Sequence, residues 1–133
     1  MSEARFAASD GTTIAHRTFG NGPRVVTALH TLSLDGSWYA RLAEALGSSY
    51  RVVCPDFRGH GGSDEGPEPM TLARLAADVV DLWEHLGIDT SVVLGVSMGG
   101  MVAQAVAASA PDRVEALVLT ATGGGFEIGR AHV

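Results

Sequence analysis

The chain has 133 residues, of which 46% are hydrophobic and 18% charged, a composition typical of one folded globular domain rather than a disordered segment. Its net charge is -6 and all nine basic residues are arginines without a cluster, which argues against nucleic acid and anionic membranes as partners. The single cysteine, Cys54, excludes an internal disulfide and a zinc-type spacing. The start M-S-E-A-R-F lacks the layout of a secretory signal, and no apolar run reaches membrane-spanning length, so a cytoplasmic protein is expected.

The N-terminal third predicts a hairpin, a buried strand and a helix. Residues 5–8 and 13–19 are strand-like runs separated by the turn signal S-D-G. Residues 25–30 are a continuous apolar run, typical of a strand buried on both faces of a parallel sheet. A helix is expected from Ser37, and its packed face is predicted to contain Trp38, Leu42, Ala45 and Leu46.

The middle of the chain contains the clearest helical pattern. A short strand at 51–54 ends at Pro55 and is followed by the loop D-F-R-G-H-G-G-S at 56–63. The helix is expected to be capped by Thr71 and to end at Gly87. Its apolar stripe consists of Leu72, Leu75, Ala76, Val79, Trp83 and Leu86. The residues predicted to face water are Arg74, Asp78, Asp81 and Glu84.

A glycine-flanked serine joins the next strand to the next helix. A run rich in β-branched residues at 91–96 leads into G-V-S-M-G at 95–99, and a small-residue helical pattern begins immediately afterwards. Glycine on both sides of Ser97 lets strand and helix approach closely, and so tight a turn holds a nucleophile in strained backbone. The N-terminal amides of the helix, that of Met98 above all, would stabilise negative charge on a reacting oxygen. Ser97 is therefore a candidate nucleophile.

The order of elements predicts the fold class. After the hairpin, strands and helices alternate up to a last apolar strand at 114–121, and no internal repeat or second domain is visible. Such alternation predicts an α/β fold with a mostly parallel sheet and helices on both faces, built as a single domain over residues 1–133.

Three motifs in this order resemble the N-terminal part of an α/β-hydrolase: A-L-H-T at 28–31, D-F-R-G-H-G-G-S at 56–63 and G-V-S-M-G-G at 95–100. Within that superfamily, H-T-L-S-L-D-G-S-W and G-V-S-M-G-G-M-V-A-Q resemble the 3-oxoadipate enol-lactonase-like esterases and lactonases. The resemblance implies an α/β-hydrolase fold truncated after its sixth strand, without the C-terminal strands, the lid, and the acid and histidine of the triad. It also implies a small ester or lactone substrate and no metal or organic cofactor.

The resemblance also assigns roles to residues. Ser97 would form an acyl-enzyme, and the backbone N–H groups of Met98 and Leu32 would hold the oxyanion. The family usually reads His-Gly where this chain reads His30-Thr31, so the backbone of this loop is expected to differ. His30 would brace the loop rather than act as a base. The loop that contains Arg58 and His60 would be structural.

The catalytic acid and histidine follow the serine in this family, in the chain order Ser, Asp, His. After the strand at 114–121 the only candidates are Glu127 and His132, five residues apart in a glycine-rich tail. The sequence leaves two sources: this tail, or a segment of a longer protein that this chain does not contain. A triad needs a held geometry as well as the right residue types.

Two classes of function follow from these observations. The first is a serine hydrolase of esters or lactones, or the nucleophile-bearing part of one. The second is a non-catalytic, truncated hydrolase-fold module that associates through the open edge of strand 114–121, as a homo-oligomer or with a missing C-terminal segment. A nucleotide-binding Rossmann-type domain is disfavoured because G-V-S-M-G-G lacks the G-x-G-x-x-G spacing.

Overall fold

A computed structural model gives the fold of the protein and describes residues 1–122. Its strands are β1 (Ser2–Ala7), β2 (Thr13–Phe19), β3 (Arg24–Leu29), β4 (Tyr50–Pro55), β5 (Ser91–Val96) and β6 (Val114–Thr120). Its α-helices are α1 (Ala40–Leu46), α2 (Leu72–Leu86) and α3 (Met98–Ser109). The strands form one sheet in the order β1-β2-β4-β3-β5-β6, antiparallel from β1 to β4 and parallel from β4 to β6. The predicted mostly parallel sheet is confirmed.

Helices cover both faces of this sheet, as predicted. On one face, α2 and α3 pack against strand residues that include Leu29, Val53 and Val93. On the other face, α1 packs against a second cluster that includes Ala28 and Val52. Neighbouring residues of one strand point to opposite faces, so strands that are covered on both faces are apolar throughout. None of the helices within residues 1–122 is long and apolar enough to cross a membrane.

Helix α2 has the predicted ends but not the predicted polar face. The Thr71 hydroxyl accepts a hydrogen bond from the Arg74 N–H at 3.1 Å, and Gly87 ends the helix at a φ of 70°. Asp78, however, was expected to face water and is only 5% exposed. It is buried because its two carboxylate oxygens each accept a bond from the buried guanidinium of Arg58 at 2.8 Å. A buried charge needs such a partner, and this partner comes from a distant loop.

The packed face predicted for the helix from Ser37 is correct at Leu42 and Leu46, which pack against the second cluster, and wrong at Trp38 and Ala45. It begins as a 3-10 turn, Gly36–Tyr39, and α1 follows from Ala40. A 3-10 turn has three residues per turn instead of 3.6, so it rotates the residues before α1 relative to an α-helical pattern. As a result Trp38 is 48% exposed and Tyr39 is buried in its place. Within α1, Ala45 is also exposed. The Tyr39 hydroxyl donates a hydrogen bond to the Leu29 carbonyl at 2.7 Å.

Candidate active site

Ser97 lies in the connection between β5 and α3, where the sequence places it. Its backbone has a φ of 55° and a ψ of -119°, a conformation that residues other than glycine rarely adopt and that costs on the order of 1–3 kcal/mol. Hydrogen bonds hold it there: the Ser97 N–H donates to the Thr120 carbonyl at 3.0 Å, and the Ser97 carbonyl accepts from the Gly100 N–H at 2.9 Å. The residue is exposed. The turn therefore presents the Ser97 hydroxyl to solvent at the end of the sheet.

The glycines around Ser97 are required by close backbone contacts. A Cβ atom at Gly99 would lie 2.6 Å from the His30 carbonyl oxygen and closer still to that of Leu29. A Cβ atom at Gly95 would collide with the Gly99 carbonyl group. The predicted reason for these glycines is confirmed. The same contacts show that the first turn of α3 lies directly against the end of β3.

The backbone N–H groups of Met98 and Leu32 lie near this end of the sheet, and within the part of the chain that the structure describes neither donates to a backbone carbonyl. Met98 is the first residue of α3, so its N–H has no acceptor within the helix and carries part of the positive end of the helix dipole. The N–H of Leu32 makes no backbone hydrogen bond within residues 1–122. Leu32 follows β3, which pairs with β5 through Leu29 and Gly95. The loop after β3 and the turn after β5 thus leave the same end of two adjacent strands.

The loop that contains Leu32 includes a residue with positive φ. The Leu34 N–H donates to the Thr31 carbonyl at 3.3 Å, which closes a four-residue turn. Its third residue, Ser33, has a φ of 68°, the positive value that a type II turn requires and that glycine usually supplies.

His30 connects this loop to the loop after β4. Its ring is fully buried, its Nε2 accepts a bond from the Phe57 N–H at 2.9 Å, and its Nδ1 lies 2.7 Å from the Thr31 carbonyl oxygen. Because Nε2 is the acceptor, the proton is assigned to Nδ1, which donates to Thr31. Burial lowers the pKa of the His30 imidazole and favours this neutral form. Both ring nitrogens of His30 are engaged with backbone groups, which agrees with a structural role in connecting the two loops and not with a general base.

Asp56 is a central residue of the site that the sequence did not single out. Its Oδ1 accepts bonds from the Gly36 N–H and from the Arg17 guanidinium, both at 2.7 Å, and its Oδ2 accepts from the Gly62 N–H at 3.0 Å. Its side chain is 1% exposed. The sequence feature that could have identified Asp56 is its place directly after a buried strand, at the start of the D-F-R-G-H-G-G-S loop. Its hydrogen-bond partners could not be identified in this way because they are distant in sequence.

The structure does not place a base beside Ser97. Within residues 1–122 no histidine or carboxylate forms a hydrogen bond with the Ser97 hydroxyl. The tail candidates Glu127 and His132 lie outside the described residues.

Burial raises the pKa of Cys54 to about 12, so this thiol is not a competing nucleophile at neutral pH. The described residues include no group of three or more His, Cys, Asp or Glu that could hold a metal ion.

Comparisons with known proteins identify the family of the chain. A family model described as the alpha/beta hydrolase fold matches residues 9–132. The chain is 42% identical over 107 residues to pimeloyl-[acyl-carrier protein] methyl ester esterase of Chromobacterium violaceum, covering 79% of this chain and 39% of the relative. It is 36% identical over 103 residues to epoxide hydrolase 2 of Siraitia grosvenorii, covering 76% of this chain and 33% of that relative.

A solved structure shares the fold as well. The crystal structure of the enol-lactonase from Burkholderia xenovorans LB400 superimposes with a TM-score of 0.80 at 32% identity, covering 86% of this chain and 45% of the other. The chain thus spans less than half the length of the relatives that it matches. With the family model covering nearly all of its residues, the protein belongs to the α/β-hydrolase family and is related to hydrolases.

Proposed function

We propose that the protein is a serine hydrolase of esters or lactones, or the nucleophile-bearing part of one, that acts through an acyl-enzyme at Ser97. The observation that supports this most directly is the exposed Ser97 hydroxyl on a positive-φ turn at the N-terminus of α3. Ser97 Oγ would attack the substrate carbonyl carbon, and the N–H groups of Met98 and Leu32 would receive the resulting oxyanion. Collapse of this intermediate would expel the alcohol or open the lactone ring, and water would then release the acid.

The identity of the nucleophile favours acyl substrates among the chemistries that its relatives' names suggest. A serine that attacks an epoxide carbon forms an ether, which has no carbonyl for water to attack and would leave the enzyme blocked. A serine that attacks an ester or lactone forms an ester, which a second attack by water can cleave. This argument selects the substrate class for this chain and leaves the acyl and alcohol groups undefined.

The mechanism also needs a histidine to remove the Ser97 proton and to protonate the leaving group. We propose that it comes from outside residues 1–122, either as His132 with Glu127 or from a segment of a longer protein. In the second case residues 1–133 form a single hydrolase domain without its lid, C-terminal strands, acid and histidine. No metal or organic cofactor is needed for the proposed steps.

Covalent labelling tests the proposal directly. A fluorophosphonate probe loses fluoride when an activated serine attacks its phosphorus, so the labelled peptide identifies the nucleophile. We expect the adduct on Ser97, identified by tandem mass spectrometry, and no adduct on Ser33 or Ser37, which are also exposed. Heat-unfolded protein is the control and should not be labelled. An adduct on another serine, or equal labelling of the unfolded chain, would contradict the proposal.

A second candidate function, a non-catalytic association module, is favoured by one observation. Within residues 1–122, β6 pairs only with β5 and so forms an edge of the sheet. Its side chains at Leu117, Val118 and Leu119 are 38%, 48% and 39% exposed, so both of its faces are apolar and accessible. An exposed apolar edge strand is a template for pairing with another strand.

The association module predicts that the 133-residue chain forms dimers or aggregates through β6. Sedimentation on the order of tens of micromolar should show this association, and Val118→Lys should weaken it. Ala4→Lys on the opposite edge strand β1 is the matched control and should leave it unchanged. A separately added segment that pairs with β6 as a further strand should prevent self-association of the chain through β6. A well-folded monomer of the unmodified chain at this concentration would contradict the prediction.

A further inference from the structure

The loop that carries the Leu32 N–H is held at both ends by two consecutive residues. We call residues 31–35 the oxyanion loop. At its start, His30 Nε2 accepts a hydrogen bond from the Phe57 N–H at 2.9 Å. At its end, the Gly36 N–H donates to Asp56 Oδ1 at 2.7 Å. Asp56 and Phe57 directly follow β4, so one short segment fixes both ends of the oxyanion loop.

The Asp56 carboxylate is enclosed by backbone, which fixes its position. A Cβ atom at Gly36 would lie 2.7 Å from the Cys54 carbonyl oxygen, and one at Gly61 would collide with Asp56 Oδ2. The Arg17 guanidinium donates to Oδ1 at 2.7 Å and balances the charge of the buried carboxylate. The Gly62 N–H donates to Oδ2 at 3.0 Å and provides a partner for the second oxygen. Asp56 thus contacts the backbone at the end of the oxyanion loop and in the loop after β4 directly, and it contacts β2 through the Arg17 side chain.

Side-chain packing does not hold the oxyanion loop in place. Leu32, Ser33 and Leu34 are all exposed, with 56% of Leu32 and 39% of Leu34 accessible. The loop nevertheless keeps Ser33 at a φ of 68°. A strained conformation persists only where its surroundings hold it. Here the hydrogen bonds of His30 and Asp56 hold the two ends, and the Asp35 carboxylate adds bonds from the Ser37 N–H at 2.9 Å and Arg17 at 3.4 Å. Removing one anchor should therefore let the loop relax.

We propose that Asp56 is a positioning residue for the hydrolytic reaction: by holding the Gly36 N–H, it keeps the Leu32 N–H where it donates to the oxyanion. This inference rests on the function proposed above. Asp56 touches no reacting atom in it. Its effect is on the placement of a donor, and a misplacement of about 1 Å costs on the order of a hundredfold in rate.

The test compares Asp56→Ala with a matched buried carboxylate in the active protein. Asp56→Ala removes the acceptor of the hydrogen bonds from the Gly36 and Gly62 N–H groups. It should lower the rate of fluorophosphonate labelling and the kcat for a chromogenic ester by about 10- to 100-fold. The KM should change by less than about twofold. Hydrogen exchange of the peptide covering residues 30–38 should become faster. Asp56→Asn retains one acceptor oxygen and should fall between the alanine variant and the wild type.

Asp78→Asn is the control because Asp78 is also buried and paired with an arginine but bonds no residue of the oxyanion loop. Rates are compared at equal folded fraction, and this variant should label Ser97 at the wild-type rate and leave exchange at 30–38 unchanged. Wild-type labelling in Asp56→Ala, or unchanged exchange of that peptide, would overturn the proposal. No labelling of the wild-type protein, with any C-terminal segment that supplies the histidine present, would instead refute the hydrolase function and the catalytic effect with it. The exchange measurement would still decide whether Asp56 holds the loop.

Discussion

Replacing Ser97 with alanine is expected to lower the kcat for ester hydrolysis by about 10⁴- to 10⁶-fold in the active protein. The reason is that the acyl-enzyme cannot form without the Ser97 oxygen, and only the N–H donors and substrate binding are left to assist attack by water. The fold should be preserved, because alanine at a φ of 55° is about as strained as serine and the hydrogen bonds of residue 97 use backbone atoms. Initial rates with a chromogenic short-chain ester and a melting curve measure the two quantities.

Ser109→Ala is the matched control for this substitution. Ser109 is the last residue of α3, is exposed, and uses its hydroxyl only for a local bond to the Val106 carbonyl at 3.3 Å. This variant should keep the wild-type kcat. If Ser97→Ala retained more than about one hundredth of the wild-type kcat with an unchanged melting curve, Ser97 would not be the nucleophile.

The part of the site that depends on neighbouring residues could be predicted from the sequence. Strand β5 has the predicted limits, Ser91–Val96, and α3 starts at Met98, which lies inside the predicted turn at 95–99 and before the small-residue pattern. Alternation, glycine spacing and the change to a small-residue helical pattern are all readable within a dozen residues. The same holds for the Thr71 cap and the Gly87 end of α2.

The partners of the buried charged residues could not be predicted in this way. Asp78 has the helical position of a solvent-facing residue and becomes buried because Arg58, 20 positions away, lies against it. Asp56 meets Gly36 and Arg17 at separations of 20 and 39 positions. Local patterns carry no information on such pairs, because the pairing depends on strand order in the sheet and on loop paths. A motif shared with a family indicates that a loop matters without showing which atoms it holds.

The position of the catalytic histidine could not be predicted from local patterns either. The residue types are present in Glu127 and His132, but a general base must lie within hydrogen-bond distance of the Ser97 hydroxyl. No local pattern in the tail predicts that distance for His132. The Ser97 turn is fully formed within residues 1–122. The position of the nucleophile therefore does not depend on the segment that supplies the base.

Gly99 is expected to be required for the fold as well as for activity. In Gly99→Val the added side chain would meet the carbonyl oxygens of Leu29 and His30, which belong to the end of β3. These oxygens cannot rotate away as a side chain would, because β3 lies in the middle of the sheet between β4 and β5. Overpacking typically costs about 1–3 kcal/mol, and this contact with backbone should reach or exceed the upper value. We therefore expect Tm to fall by about 10 °C or more.

Activity should fall further than the loss of stability explains, because the same contact holds α3 against β3. Moving α3 outward would shift the Met98 N–H relative to the loop after His30, and the two proposed donors would no longer meet one oxygen. Differential scanning calorimetry and Ser97 labelling below the lowered Tm measure the two effects separately. Ala108→Val, at an exposed position of the same helix, is the control and should cost only the helix propensity of valine, about 0.5 kcal/mol. An unchanged melting curve in Gly99→Val would mean that the turn is looser than the structure shows. A large loss of Tm with wild-type labelling at low temperature would separate the packing of α3 from the placement of the Met98 donor.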